Sequence, residues 1–205
     1  MIESKTIGLF PIPVYVSKLN RALLKKELSL VDQCKLNFHK NDGNTRSSDS
    51  YILNHKSFSF LKKELYSRVE DYFNKVLSTT DAITPYITQS WLNFTETNQF
   101  HHKHSHANSL VSGVFYINCH EESDKITFFK PEVFQTIRPE IKNWNLYNSE
   151  SWWLTVKTGD IILFPSSLNH MVETKEGDNT RISLAFNVFI KGTIGSNKEL
   201  TELIL

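Results

Sequence analysis

The chain has 205 residues, of which 40% are hydrophobic and 22% are charged. This length is sufficient for one sizeable core, and we expect residues 1–205 to form a single domain. The 23 basic and 22 acidic side chains leave a formal net charge of +1, which argues against a nucleic-acid binder or a polybasic membrane anchor.

The cysteines and the N-terminus bear on location. Cys34 and Cys119 follow no CxxC pattern, and the opening MIESKTIGLF lacks the apolar run of a signal peptide. No window approaches the about 18 apolar residues of a membrane-spanning helix. We therefore expect a soluble protein with free thiols in a reducing cytosol.

The chain opens with a predicted strand. The segment IGLFPIPVYVSKL is apolar and contains Pro11 and Pro13. Proline donates no hydrogen bond to a neighbouring strand, so this pattern favours the edge of a sheet.

Two helices are predicted next. Apolar residues recur at helical spacing in residues 20–36, with Asn20 as the N-cap, and again in residues 59–78. Residues 40–56 are polar and predict a surface loop between them. The helical support of the fold is thus expected at about residues 20–80.

From about residue 84 the sequence changes to short segments rich in β-branched and aromatic residues. They read YITQSWLNFTE, SLVSGVFYINC, KITFFKP, SWWLTVKTGD, IILFPSS, HMVETK and RISLAFNVFI. Seven short strands within residues 84–191 predict a closed or double-sheet β architecture. The expected fold class is mainly β, with the helices covering one face of a β-sandwich and residues 131–150 forming a long insertion.

Strict alternation divides the last of these strands into two faces. One face, which suits packing against the helices, consists of Ile182, Leu184, Phe186, Val188 and Ile190. The other is smaller and more polar, like a barrel interior that holds a ligand, and consists of Arg181, Ser183, Ala185, Asn187 and Phe189. An unpaired inward arginine costs on the order of several kcal/mol, so we expect Arg181 to have an anionic partner.

Four of the eight histidines lie within residues 101–106. Residues i and i+2 of an extended segment point to the same side, so either His102 and His104 or His104 and His106 offer two imidazoles to one metal ion. A solvated, histidine-rich loop at a strand edge would explain the same pattern. The spacing alone therefore leaves both pairs and the loop open.

A third histidine, His170, begins a predicted strand after the turn SSLN. Taken alone it is most simply a core or capping histidine. Arg181 follows eleven residues later, with EGDN as an intervening turn, and this spacing predicts a hairpin that brings both residues to neighbouring strands of one pocket. Two histidines on one strand, a third on a distant strand and an inward arginine would make a facial metal site beside an anion-binding group. The version of that site with two histidines and one carboxylate is typical of non-haem Fe(II) oxygenases.

The segment from Trp91 to Asn187 resembles a 2-oxoglutarate/Fe(II) oxygenase family found in bacteria and their phages. HSHANSLVSGVFYIN is similar to the family's HxHxNSxxSGVYY core, and GDIILFPSSLNHMVE with TRISLAFN is similar to its distal half. The opening LFPIPVYV also resembles the family's LFPTPV start, so the resemblance covers nearly the whole chain. It implies a double-stranded β-helix, or jelly roll, with N-terminal α-helices packed on one sheet.

The resemblance implies roles for individual residues. It assigns His104, His106 and His170 to the iron, and these are the expected catalytic residues. It implies that Arg181 binds the distal carboxylate of 2-oxoglutarate, because a planar guanidinium can form two parallel hydrogen bonds with a carboxylate. Tyr116 would donate to the same carboxylate, although a buried strand tyrosine explains it as well. The remaining expected cosubstrate-binding residues are Asn93, Ser112 and Asn187.

The implied cofactors are Fe(II), 2-oxoglutarate and O₂, and the implied reaction is a hydroxylation that releases succinate and CO₂. His101 and His102 are expected at the rim of the site or in contact with the metal ligands. One departure matters: most enzymes of the wider superfamily use HxD or HxE, whereas this sequence has HxH. A neutral three-histidine face suits Fe(II) and also Ni, Cu or Zn.

Two alternatives remain open at the level of sequence. A cupin-like three-histidine metalloenzyme shares the jelly roll and an HxH with a distal histidine, but it requires no inward arginine. A non-catalytic jelly-roll binding module shares the fold alone.

The expected partner is a small-molecule or peptidyl substrate, with no nucleic acid and no membrane. Residues 40–56 and 131–150 are expected to form much of its site. A homodimer is the default expectation for assembly. The expected location is the cytoplasm of a bacterium or of a phage-infected host cell.

Overall fold

A computed structural model describes residues 2–131, 137 and 139–205. The described chain is mainly β, as predicted, with two helices before the long strands. The helices are α1 (Lys25–Leu36) and α2 (Ser59–Tyr72), which continues into a π-helical turn at Phe73–Leu77. The strands are β1 (Tyr15–Lys18), β2 (Phe38–Lys40), β3 (Thr45–Ser47), β4 (Ile83–Thr95), β5 (His101–His104), β6 (Val111–Asn118), β7 (Lys125–Phe129), β8 (Ser151–Thr155), β9 (Asp160–Pro165), β10 (His170–Val172), β11 (Arg181–Ile194) and β12 (Leu203–Ile204).

The strands form two antiparallel sheets. The major sheet has the order β1-β9-β6-β11-β4-β3-β2, with β12 paired to β11, and the minor sheet has the order β5-β10-β7-β8. Among the described residues, no helix is both long and apolar enough to span a bilayer. The two sheets enclose a core that includes Tyr116, Ile126, Phe164 and Leu168.

The helices cover the outer face of the major sheet. Leu61, Leu65 and Val69 of α2 are fully buried in one cluster with Leu184 and Phe186 of β11. Burying a leucine side chain contributes about 1.5–3 kcal/mol, so this apolar contact explains why two helices of modest propensity are stable here. The predicted packing of the helices on one sheet is confirmed.

The start of α1 differs from the prediction. The N-cap position is Leu24 rather than Asn20. Glu27 replaces the missing cap, because its carboxylate accepts from the Leu24 backbone N–H at 2.7 Å and pairs with Arg21 at 2.8 Å. A carboxylate in the first turn satisfies an unpaired helical N–H and opposes the positive end of the helix dipole.

The faces of β11 follow the predicted alternation except at Phe189, and Val188 and Ile190 join the core under the helices as predicted. Arg181, Ser183 and Ala185 line a cavity between the sheets. The pairing with β4 shifts register between Phe186 and Val188. A bulge rotates the residues that follow it. Phe189 packs against the apolar core under the helices, so its prediction as a cavity residue is wrong.

Two connections also differ from the predictions. The polar segment at residues 40–56 contains β3, which pairs with β2 and extends the major sheet beside β4. His170 and Arg181 do not form a hairpin: β10 belongs to the minor sheet and β11 to the major sheet, so the two side chains face each other across the sandwich. In the predicted insertion at residues 131–150, positions 132–136 and 138 lie outside the described residues.

Candidate metal centre

Three histidines meet between the sheets. One ring nitrogen from each of His104, His106 and His170 lies within 4.8 Å of the other two. His104 ends β5 and is the register partner of His170, the first residue of β10. His106 follows two residues after His104, and its backbone N–H donates to the Ser166 carbonyl at 2.9 Å. Pairing of β5 with β10 thus joins histidines that are distant in sequence.

Each of these rings has one nitrogen committed to an oxygen acceptor. The Nδ1–H groups of His104 and His170 donate to the backbone carbonyls of His102 at 2.7 Å and Leu168 at 3.1 Å. That of His106 donates to the side-chain Oδ1 of Asn187 at 2.7 Å. Because a carbonyl oxygen only accepts, Nδ1 carries the hydrogen and Nε2 presents its lone pair.

Burial keeps the three imidazoles neutral. It lowers the pKa of His106 to about 4 and that of His170 to about 3, and the neighbouring His104 adds to both shifts. Burial also lowers the pKa of His104. A neutral imidazole is the form that binds a metal, so these rings are ready to bind at neutral pH without losing a proton.

This donor set fits a divalent transition metal. Three neutral imidazoles with fixed tautomers and free Nε2 atoms match the ligand type used by Fe, Ni, Cu and Zn. Among the residues that the structure describes, no carboxylate belongs to the group. The missing HxD carboxylate of the sequence is therefore not supplied by a residue from elsewhere in the described chain.

The other two histidines of the cluster lie at the rim of the site and against one of its ligands, as expected. His102 does lie at an edge, with Nδ1 3.6 Å from Oδ2 of Asp42. His101 instead points inward and stacks on His104 with ring centroids 4.6 Å apart. A register shift between β5 and β10 accounts for the inward direction of His101, because it breaks the i, i+2 alternation of a regular strand.

An inner cavity of about 40 Å³ extends from the three histidines to Arg181. Arg181 is buried, and its Nη1 donates to Oδ1 of the buried Asp124 at 3.2 Å. The predicted anionic partner of this arginine is therefore a residue of the chain. The backbone N–H of His120 donates to the other oxygen of Asp124 at 2.8 Å, which fixes the carboxylate.

Tyr116, Asn93 and Ser112 also line the inner cavity. Burial raises the pKa of the Tyr116 hydroxyl, which is therefore a hydrogen-bond donor at neutral pH. Asn93 is buried and its Oδ1 has no hydrogen-bond partner in the described structure. A buried, unpartnered amide oxygen beside a cavity is available to a ligand. Ser112 is already engaged with Ser166 at 2.9 Å.

Asn187 faces a second, outer cavity of about 410 Å³. The two cavities share a wall formed by Trp91, His101, His104 and His106. The indole of Trp91 stacks on His106 with ring centroids 5.7 Å apart. Asn187 lies beside this wall, and its side-chain oxygen accepts the hydrogen bond from the His106 imidazole.

Sequence reasoning missed three residues of this region. Asp124 lies in the turn before β7, 57 positions from Arg181, where no periodicity indicates an inward carboxylate. Trp91 is a strand aromatic like many others in the chain. Arg46 lines the outer cavity from β3, a strand too short and polar to be recognised.

Comparisons with known proteins agree with this geometry. Residues 89–187 match the model of a family described as "Putative 2OG-Fe(II) oxygenase". No curated protein is significantly similar in sequence.

Several solved structures share the fold. An oxidoreductase of the 2OG-Fe(II) oxygenase family from Burkholderia pseudomallei is 15% identical with a TM-score of 0.54, over 84% of this chain and 83% of that chain. HygX from Streptomyces hygroscopicus, with nickel, 2-oxoglutarate and hygromycin B bound, is 12% identical with a TM-score of 0.58, over 86% and 82%. A Pseudomonas putida prolyl-4-hydroxylase is 12% identical with a TM-score of 0.55, over 86% and 92%.

At these identities the likeness to solved structures concerns the fold, which is the jelly roll predicted from the sequence. The family match covers the histidines and Arg181 as well as the strands that carry them. Residues 89–187 of this chain, which carry the three histidines and Arg181, are thus similar to the 2OG-Fe(II) oxygenase family.

Proposed function

We propose that the protein is an Fe(II)- and 2-oxoglutarate-dependent oxygenase that hydroxylates a small-molecule or peptidyl substrate and releases succinate and CO₂. The observation that carries this proposal is that the inner cavity is lined both by possible metal ligands and by a buried cation. Three neutral histidines with free Nε2 atoms stand at one end, and a buried arginine stands at the other. A metal ion and the carboxylate of a diacid could therefore bind in the same cavity.

His104, His106 and His170 would hold the metal through Nε2. When bound, Fe(II) and 2-oxoglutarate supply the oxidising chemistry with O₂, and the protein supplies binding and orientation. The three oxygen acceptors on Nδ1 keep each ring turned toward the centre, which reduces the reorganisation needed on binding.

Arg181 would bind the distal carboxylate of 2-oxoglutarate. One of its N–H groups is committed to Asp124, and the remaining guanidinium donors are available to a ligand. The Tyr116 hydroxyl would donate to the same carboxylate, and the amide of Asn93 offers a further polar contact. Apolar side chains such as Val114, Ile126 and Phe164 line the rest of the inner cavity and exclude water.

The inner cavity is lined by Arg181 as well as by the histidines, so a diacid held at Arg181 would point its other end toward the metal ligands. This leaves the wider outer cavity for the substrate. Among the neighbours in fold, HygX was solved with hygromycin B, which supports a small-molecule substrate for this chain.

Anaerobic addition of Fe(II) and 2-oxoglutarate tests the proposal. We expect the visible charge-transfer band of the chelate in the wild-type protein. Arg181→Gln should weaken 2-oxoglutarate binding by about tenfold to a hundredfold, since it removes a charge-assisted hydrogen-bonding partner. His170→Ala should abolish the band.

Three outcomes would contradict parts of this assignment. Absence of the band in the wild-type protein would exclude 2-oxoglutarate as the cosubstrate. A band that survives His106→Ala and is lost in His102→Ala would mean that the other histidine pair binds the metal. A band unaffected by Arg181→Gln would remove the cosubstrate role of this arginine.

A cupin-like three-histidine metalloenzyme is the alternative, and the absence of a carboxylate from the described metal group favours it. Such an enzyme binds Fe(II) without requiring 2-oxoglutarate. Tight Fe(II) binding to the wild-type protein, with no chelate band and no succinate formed in air, would support this alternative.

A further inference from the structure

The outer cavity contains an arginine whose charge is not matched by the protein. Three other arginines that the structure describes each pair with a carboxylate: Arg21 with Glu27, Arg68 with Glu64 and Arg181 with Asp124. Arg46 has no such partner among the described residues. Its Nη1 donates to the Ser47 carbonyl at 3.0 Å and the Ser50 hydroxyl at 3.4 Å, and both acceptors are neutral.

The surroundings of Arg46 connect it to the metal centre. Arg46 on β3 is the register partner of Asn93 on β4, so it lies one strand, about 4.8 Å, farther along the major sheet. It lines the same outer cavity as His104 and His106. The guanidinium is half-buried, which strengthens its attraction for an anion relative to a fully solvated cation.

We propose that Arg46 binds the carboxylate of the substrate, and that the substrate is a carboxylate-bearing small molecule held between Arg46 and the histidine wall. This inference rests on the proposed function for the identity of the metal centre and adds the substrate class. The binding of 2-oxoglutarate itself is assigned to Arg181, on the opposite side of the shared wall.

Charge matching favours a carboxylate over a phosphate. Arg46 is the one Lys or Arg side chain among the described residues that line this cavity. A single planar guanidinium neutralises a carboxylate through two parallel hydrogen bonds, whereas a phosphate carries up to two charges and is usually met by more than one cation. Asp42, beside His102 at the rim, adds a negative charge that further disfavours a dianion.

The rest of the lining fits the body of such a molecule. Asn41, Ser50 and Gln89 offer neutral hydrogen-bonding groups, and Trp91 offers an aromatic surface beside His106. A polar molecule anchored by its carboxylate at Arg46 therefore has its carbon skeleton directed along the wall that carries the metal ligands.

A binding experiment with defined probes tests this proposal. Protein loaded anaerobically with Fe(II) and 2-oxoglutarate is titrated with free L-amino acids and aliphatic 2-hydroxy acids, with their primary amides, and with inorganic phosphate. We expect at least one free acid to bind and to perturb the chelate band, while its amide does not. Arg46→Gln should weaken that binding by about tenfold to a hundredfold and leave the 2-oxoglutarate affinity unchanged.

Lys56→Gln is the matched control, because it removes an exposed cation outside both cavities. The proposal is wrong if no free acid binds at millimolar concentration, if acid and amide bind equally, or if Arg46→Gln has no effect. Binding of phosphate in place of the acids would overturn the carboxylate assignment. Loss of the chelate band in the wild-type protein is a separate result, which refutes the proposed function and is read before any probe is added.

Discussion

Each imidazole of the metal group depends on a partner that the metal would not touch. Two partners are backbone carbonyls only two residues away, so they follow from the local chain path at His104 and His170. The third is Asn187, which is 81 residues from His106 and lies at the bulge of β11. His106 is therefore the ligand whose tautomer depends on a single replaceable side chain.

Replacing Asn187 should weaken metal binding without removing a ligand. Asn187→Ala deletes the acceptor of the His106 Nδ1–H, so the ring loses its fixed tautomer and orientation. Loss of such a partner lowers metal affinity by about 10- to 100-fold. Titration with Co(II), followed by its visible absorption, measures the change.

Asn187→Asp is the informative control, because it retains an oxygen acceptor at the same position. We expect its Co(II) affinity to remain close to that of the wild-type protein or to exceed it. Equal affinities for the wild-type protein and Asn187→Ala would show that His106 is oriented by something else.

The inward position of Arg181 could be predicted from the sequence, whereas its partner could not. Alternation along β11 correctly predicted an inward arginine, and the cost of an unpaired buried charge predicted an anionic partner. The identity of that partner, Asp124, was not predictable, because the pairing is set by how two distant strands meet across the sandwich. The roles of His104, His106, His170 and Arg181 in binding stay predictions until they are measured.

At the scale of elements, the seven segments predicted as strands all contain strands of the structure. The strands that escaped prediction are short or polar. β3 reads TRS and β5 reads HHKH, so neither shows the β-branched and aromatic enrichment that marks the others. Their pairing comes from the neighbouring strand rather than from their own propensity.

The predicted hairpin between β10 and β11 was wrong, and this error concerns topology rather than the presence of a strand. A turn signal between two strands predicted a hairpin, and the intervening residues instead carry the chain from the minor to the major sheet. Local sequence specifies that a chain turns, but the sheet that receives the next strand is chosen by burial of the apolar face of β11.

Gly113 on β6 lies where a side chain would collide with β11. It is the register partner of Phe186, and a Cβ at this position would overlap the Phe186 ring. Phe186 is fully buried and packed in the apolar core under the helices. Gly113→Ala should therefore lower the free energy of unfolding by about 1–3 kcal/mol, as overpacking of a core does.

Urea denaturation measures this change as a lower midpoint. Gly8→Ala is the matched control, since a Cβ there has only Tyr147 nearby, at 3.9 Å, an ordinary van der Waals distance. If both variants unfold at the wild-type midpoint, the Phe186 ring is not confined as described.

For the whole molecule, the buried histidines couple stability to pH. An unfolded histidine titrates near 6.5, whereas burial depresses the pKa of His106 to about 4 and those of His101 and His170 to about 3. Below about pH 6.5 the unfolded state takes up protons that the folded state does not. The stability contribution is therefore complete above that pH and is lost as the pH falls toward 4.

Thermal unfolding of the metal-free protein between pH 7.5 and 5 tests this linkage. We expect the Tm to stay nearly constant above about pH 6.5 and to fall as the pH decreases below that value, and His170→Gln to reduce the slope of the fall. The His39→Gln variant, which deletes an exposed imidazole on β2, controls for the loss of one histidine. A Tm that stays constant across this range would contradict neutral burial of the cluster.

The order of strands in the minor sheet has a consequence for folding. β10 is the last of its four strands in the chain, yet it lies between β5 and β7. Until β10 inserts, the sheet consists of two separate pieces, and His170 is far from His104 and His106. We infer that joining these pieces and completing the three-histidine group are one event, so metal uptake during refolding would report the insertion of this strand. Metal binding detected well before the near-UV signal of the packed core would refute that inference.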